Sequence, residues 1–257
     1  MSHTAKAFEN GKALIAFLTA GVPSIEDSIE FAAEAEKAGA TMLEIGVPFS
    51  DPVADGPVIM EADVKAIQNY IHLPEVMEMV KKLREKTSIP IVLFTYFNPI
   101  FNYPAETFFK EAKEIGIDGV VIPDLPYEEE PEVRPLADTY GIDIIRTIVP
   151  TSDERIREIA KDATGFIYAI PPVGVCDLRE DILENLQRIV RVAGEMTDIP
   201  IVSGFDIATP EQAGILAKLS DGIIAGSGVV DLINKNGKAA GPLIADYIAG
   251  LKAGMEE

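Results

Sequence analysis

Short apolar runs alternate along the chain with longer stretches whose apolar residues recur at helical spacing. The runs are Ala13 to Ala20, Met42 to Val47, Ile89 to Tyr96, Gly119 to Pro123, Asp143 to Val149, Phe166 to Ile170, Ile199 to Phe205 and Gly222 to Ala225. Most are nearly continuous hydrophobics, the pattern of parallel strands buried on both faces. Between them, Ile25, Ile29, Ala32 and Ala33 mark one face of a helix, and Ile182, Leu183, Leu186, Ile189, Val190 and Ala193 mark another. Ser24-Ile25-Glu26-Asp27 reads as a capping box in which Ser24 accepts from an orphan backbone N–H. Helices are expected to stop at Gly39, Gly116 and Gly141, where a left-handed cap carries no Cβ penalty. Ile89-Pro90-Ile91 and Ile199-Pro200-Ile201 open two strands with a proline, where no ladder bond is lost.

Eight such units in succession, joined by right-handed crossovers, predict an α/β chain folded as a single (β/α)8 barrel over residues 1–257. An open doubly wound sheet is the competing architecture. It often has a glycine-rich phosphate turn after its first strand, and Thr19-Ala20-Gly21-Val22-Pro23 is not that turn. In a closed barrel the chemistry gathers at the C-terminal strand ends and the loops that follow them.

Composition narrows the function classes. With 47% hydrophobic residues in 257 there is material for a large core, and a single cysteine, Cys176, excludes an intrachain disulfide framework. The balance of 22 basic and 42 acidic residues, net −20, disfavours nucleic acid and anionic membranes as partners. No apolar run reaches the roughly 18 residues of a spanning helix, and Met1 to Lys6 lacks a signal-peptide pattern. A cytoplasmic protein is therefore expected. His3 and His72 fall outside the strand ends, which disfavours a histidine base or a His-rich metal site. Asp177 beside Cys176 argues against a nucleophilic thiol. The run Glu128-Glu129-Glu130 reads as the solvated first turn of a helix.

The second run carries a carboxylate inside an apolar segment, Leu43-Glu44-Ile45-Gly46-Val47. The two-residue period of a strand allows Glu44 to face the barrel interior while its neighbours face helices. Burial raises a carboxyl pKa, which suits a general acid or base. A structural carboxylate satisfied by buried partners is the other reading, and the strand alone does not separate the two. The following loop, Pro48 to Pro57, adds Asp51, Asp55, prolines that stiffen it and a glycine. It reads either as a catalytic lid or as a solvated turn.

The segment Leu43-Glu44-Ile45-Gly46-Val47-Pro48-Phe49-Ser50-Asp51-Pro52-Val53-Ala54-Asp55-Gly56-Pro57 closely resembles the signature of the tryptophan synthase α subunit family. The resemblance extends through Leu18-Thr19-Ala20-Gly21, Thr95-Tyr96-Phe97-Asn98, Pro123-Asp124-Leu125-Pro126, Ile148-Val149-Pro150-Thr151 and Gly226-Ser227. It implies a (β/α)8 barrel that cleaves indole-3-glycerol phosphate to indole and glyceraldehyde 3-phosphate without metal or organic cofactor. It implies Glu44 as the acid–base residue and Asp55 as the carboxylate that stabilises the indole N–H. Phe17, Phe94, Tyr96 and Tyr168 match positions near the indole pocket, and Phe17 and Phe94 also read as barrel core. Asp124 is implied to order the loop around the carboxylates, with a cap for its own following helix as the alternative. The implied partner is a pyridoxal-phosphate β subunit facing Pro52 to Gly56 and Asn98 to Asn102.

The resemblance also implies a phosphate grip from turns at Gly174, at Gly204-Phe205, and at Gly226-Ser227 on a helix N-terminus. Here the sequence departs. The turns read Gly174-Val175-Cys176-Asp177 and Gly204-Phe205-Asp206, Pro171-Pro172 precede the first, and Asp231 follows the third. Two unit charges about 6 Å apart repel by roughly 3 kcal/mol at an effective dielectric near 20. Two further readings follow: a paralogue with an altered phosphate site acting on a different indole-bearing substrate, and a non-catalytic partner of a β subunit. Asp177 and Asp206 filling the anion site would favour the altered specificity.

Overall fold

A computed structural model describes residues 3–170 and 178–256. Eight strands close into one barrel in sequence order: β1 (Ala13–Thr19), β2 (Met42–Gly46), β3 (Ile91–Phe94), β4 (Gly119–Val121), β5 (Asp143–Ile148), β6 (Ile167–Ala169), β7 (Ile201–Phe205) and β8 (Gly222–Ala225). Each pairs in parallel with the next, and β8 closes on β1 from Ala13↔Gly222 to Ala16↔Ala225. The barrel predicted from the apolar runs is thus the fold. Most strands are shorter than the runs, because the ladder ends where the chain leaves the rim for its loops. Pro90 and Pro200 lie just ahead of their strands instead of opening them. Their carbonyls still accept from Leu43 and Ile167 N–H at 3.0 and 2.9 Å.

Every residue of β1, β2, β3, β4 and β8 is buried, the inner face within the barrel and the outer face under helices. The helix Ile25–Lys37 starts as its sequence predicts: Ser24 Oγ accepts from the Asp27 N–H at 3.1 Å and donates to Asp27 Oδ2 at 2.6 Å. Gly116 and Gly141 end their helices at φ 84° and 67°, and Gly39 turns at 114°. No helix among the described residues is long and apolar enough to cross a membrane.

The acidic run at 128–130 is not uniformly solvated. Glu130 is 5% exposed and lies under β5, clamped by Arg146, itself 8% exposed. The two form a bidentate pair, Arg146 Nε to Oε2 at 2.6 Å and Nη2 to Oε1 at 2.8 Å, and Arg134 adds a bond of 2.9 Å. Arg146 also donates to the carbonyls of Ile159 and Lys161 and lies 4.7 Å over the Tyr127 ring. Burial pulls the Glu130 carboxyl upward, but its two arginines outweigh that and hold it below the usual range.

Candidate functional site

The C-terminal mouth of the barrel gathers most of the predicted residues. Glu44 stands on β2 in register with Phe17 of β1 and Val92 of β3. It is 1% exposed, and its Oε1 has no hydrogen-bond partner in the protein. Burial, and next the charge of Asp55, push its carboxyl up to about 8. Glu44 is therefore protonated at neutral pH and able to give a proton.

Asp55 comes from the loop after β2 and is also buried. Burial raises its carboxyl, the Tyr96 hydroxyl lowers it, and the result is about 6. Tyr96 donates to Asp55 Oδ2 at 2.7 Å and accepts from the Ala54 N–H at 3.0 Å. Its ring stacks on Phe49 at 4.9 Å and meets Phe94 edge-on at 6.2 Å. One phenol so pins the stiff loop from two directions. Asp51, the other carboxylate of that loop, is exposed. Two buried carboxyls with different proton affinities can serve one as acid and one as anion.

The walls are aromatic. Phe17 and Phe94 meet edge-on at 5.9 Å, and the Phe17 ring covers Gly46, where a Cβ would come within 2.7 Å of it. Tyr168 lies over Gly204: a Cβ at that glycine would fall 2.1 Å from the ring. Burial, Glu44 and Asp55 all hold the Tyr168 phenol protonated. Phe17 and Phe94 are both buried in the barrel core.

Asp124 Oδ1 accepts from the Phe97 N–H at 2.9 Å. It caps the helix Phe97–Asn102 that follows β3, not the helix after its own strand. The cap fixes the turn that presents Tyr96. On the far side of the mouth, Phe205 ends β7 opposite Ala225 of β8. Gly226 then precedes the helix Ser227–Asn236 without a side-chain cap. The Ser227 hydroxyl donates to Asp206 Oδ1. Asp231 pairs instead with Lys235 one turn along, at 2.6 Å. Gly174, Cys176 and Asp177 lie outside the described residues.

Sequence reasoning missed two polar residues here. Asp63, 4% exposed on the helix Pro57–Gln68, is pushed up to about 8 by burial and by Asp55. Its signal was a carboxylate at a helical position shared with buried Ala62 and Ala66. Thr19 ends β1, with its hydroxyl oxygen buried and unpaired. Its signal was two-residue alternation from Phe17.

The family described as tryptophan synthase alpha chain matches residues 3–252. The tryptophan synthase alpha chain of Lacticaseibacillus casei is 40% identical over 256 residues, covering 100% of this chain and 96% of that one. The solved tryptophan synthase subunit alpha of Legionella pneumophila str. Paris superimposes with a TM-score of 0.90 at 31% identity, covering 100% of this chain and 99% of that one. A chain of the tryptophan synthase complex of Pyrococcus furiosus gives 0.87 at 32% identity, covering 95% and 99%.

Proposed function

The chain belongs to the tryptophan synthase alpha chain family, and from that premise we propose that its barrel mouth cleaves indole-3-glycerol phosphate to indole and glyceraldehyde 3-phosphate. The observation that carries this reading is the pair of buried carboxyls, Glu44 at about 8 and Asp55 at about 6. Protonated Glu44 gives its proton to C3 of the indole ring. The ring nitrogen becomes positive, and the Asp55 carboxylate accepts its N–H and stabilises that charge. Glu44, now a carboxylate, takes the proton of the hydroxyl on the carbon attached to C3. The C–C bond breaks, its electrons return to the ring, and the carbon leaves as an aldehyde. Glu44 ends protonated, as it began, and no step calls for a metal or organic cofactor. Phe17, Phe94 and Tyr168 wall the ring from water.

The phosphate end is assigned to the start of the helix Ser227–Asn236, whose free N–H groups and dipole favour an anion. Gly204 and Phe205, beside it on β7, and Gly174 belong to the same assignment. Asp206 already holds the Ser227 hydroxyl there. Asp206→Asn is expected to lower the KM for the phosphate ester about threefold to tenfold, the value expected of one screened like charge. Steady-state kinetics check this, with dephosphorylated indole glycerol as the control that should not change. A preference for the uncharged compound by the parent chain would instead establish altered specificity.

The pH profile tests the roles. The kcat/KM should rise through about 6 as Asp55 ionises and fall above about 8 as Glu44 loses its proton. Tyr96→Phe removes the bond that lowers Asp55, so the acidic limb should move to higher pH. A limb that stays in place in Tyr96→Phe would take Asp55 out of the profile. The primary experiment is indole release from indole-3-glycerol phosphate by the purified chain, alone and with a β subunit. No release under either condition overturns the reading.

The partner is placed over the loops after β2 and β3. Val53 and Phe101 are 79% and 69% exposed there. A groove of about 400 Å³ between these two loops is lined by Phe49, Ser50, His72, Asn98 and Asn102. The same reading takes residues 1–257 as one barrel domain. It sets the protein in the cytoplasm, since a phosphate ester does not cross a membrane unaided.

A further inference from the structure

Among the described residues, two buried side-chain oxygens have no hydrogen-bond partner, Glu44 Oε1 and Thr19 Oγ1. Glu44 is explained by its proposed chemistry. Thr19 is not, although leaving a buried hydroxyl unpaired destabilises a fold by about 1–3 kcal/mol and valine would fill nearly the same volume without that penalty. Buried polar groups in native folds are nearly always paired, so this one calls for an explanation.

Its position says what it would meet. Phe17 lies opposite Glu44, and Thr19 lies opposite Gly46, so alternation puts Thr19 on Glu44's face, one row nearer the rim. β1 is hydrogen-bonded to β2 on one side and to β8 on the other. The helix Ser227–Asn236 that follows β8 packs on β1, and a Cβ on Gly226 would sit 3.8 Å from the Phe17 Cβ. Thr19 therefore stands between the strand that carries the acid–base residue and the helix start assigned to the phosphate. A substrate stretched from one to the other lays its middle carbon along this strand.

We propose that Thr19 is a substrate-binding residue whose hydroxyl pairs with the middle hydroxyl of the glycerol chain, between the reacting carbon and the phosphate. A hydroxyl both donates and accepts, which matches a secondary alcohol that does the same. The assignment rests on the function proposed above. Bound substrate gives this oxygen, which has no partner within the protein, a hydrogen-bond partner.

The test compares Thr19→Val and Thr19→Ser with the parent chain, by urea unfolding and by indole-release kinetics. Thr19→Val is expected to be as stable as the parent or more so, with kcat/KM lower by about tenfold, the worth of one uncharged hydrogen bond. Thr19→Ser keeps the hydroxyl and should recover most of the activity. On an analogue lacking the middle hydroxyl, parent and Thr19→Val should perform alike. If Thr19→Val does not fold, Thr19→Ala takes its place with the same kinetic expectation. Unchanged turnover in the hydroxyl-free variant overturns the proposal. So does a loss that persists on the deoxy analogue, or one that tracks lowered stability. In those cases the parent still turns over and the functional reading stands, whereas an inactive parent overturns both.

Discussion

Glu44→Gln is expected to lower kcat by about 10²- to 10⁴-fold, the range for loss of a positioned acid–base group. Glutamine keeps the shape and some of the polarity but can neither give a proton to C3 nor recover one from the hydroxyl. The same substitution should flatten the dependence of stability on pH. In the folded chain Glu44 holds its proton up to about 8, whereas its ordinary value is 4.5. Between those values the folded state binds the extra proton, so its stability falls as pH rises, by up to about 1.4 kcal/mol per unit from this one group. Glutamine has no such slope. Urea unfolding at pH 5 and pH 8 should show the variant gaining on the parent at the higher pH. A variant that keeps a tenth of parental turnover would remove Glu44 from the centre of the reaction.

Arg146→Ala is expected to destabilise the chain by about 3–5 kcal/mol, the largest effect on stability foreseen here. Alanine leaves Glu130 buried without its bidentate partner and deprives the Ile159 and Lys161 carbonyls of a donor. Arg134 remains on one oxygen only. Adding Glu130→Gln should recover part of the loss, because the stranded charge is then gone. Parent, single and double variants compared by urea midpoint decide it. A single-variant loss under about 1 kcal/mol would show that Glu130 escapes to water or takes a proton without harm.

The barrel was legible because its strands are buried on both faces and so read as unbroken apolar runs, with glycines 39, 116 and 141 ending the helices between them. Glu44 was legible for the opposite reason, as a charge flanked by apolar residues within such a run. Asp55 was legible only through the family signature, since composition does not distinguish it from Asp51. What separates them is Tyr96, 41 residues further on. Distance in sequence hid the rest too. Asp124 caps a helix that begins 27 residues before it. Glu130 is buried because an arginine on β5 reaches it across 16 residues, and the acidic run around it gives no hint of that. Asp63 and Thr19 occupy apolar-looking positions, and their polarity is a signal only once the barrel is closed around them.

The proposed roles also divide along the chain. Glu44, Asp55, Tyr96 and Asp124 belong to the units of β2, β3 and β4, while Gly204, Asp206 and Ser227 belong to those of β7 and β8. In the function proposed above, proton handling and anion grip therefore sit in opposite halves of the barrel, meeting only across its mouth. Recombination at the half-barrel boundary would exchange one without rewriting the other. A library that varies only residues 204–231 would search for new leaving-end chemistry while inheriting an intact acid–base pair.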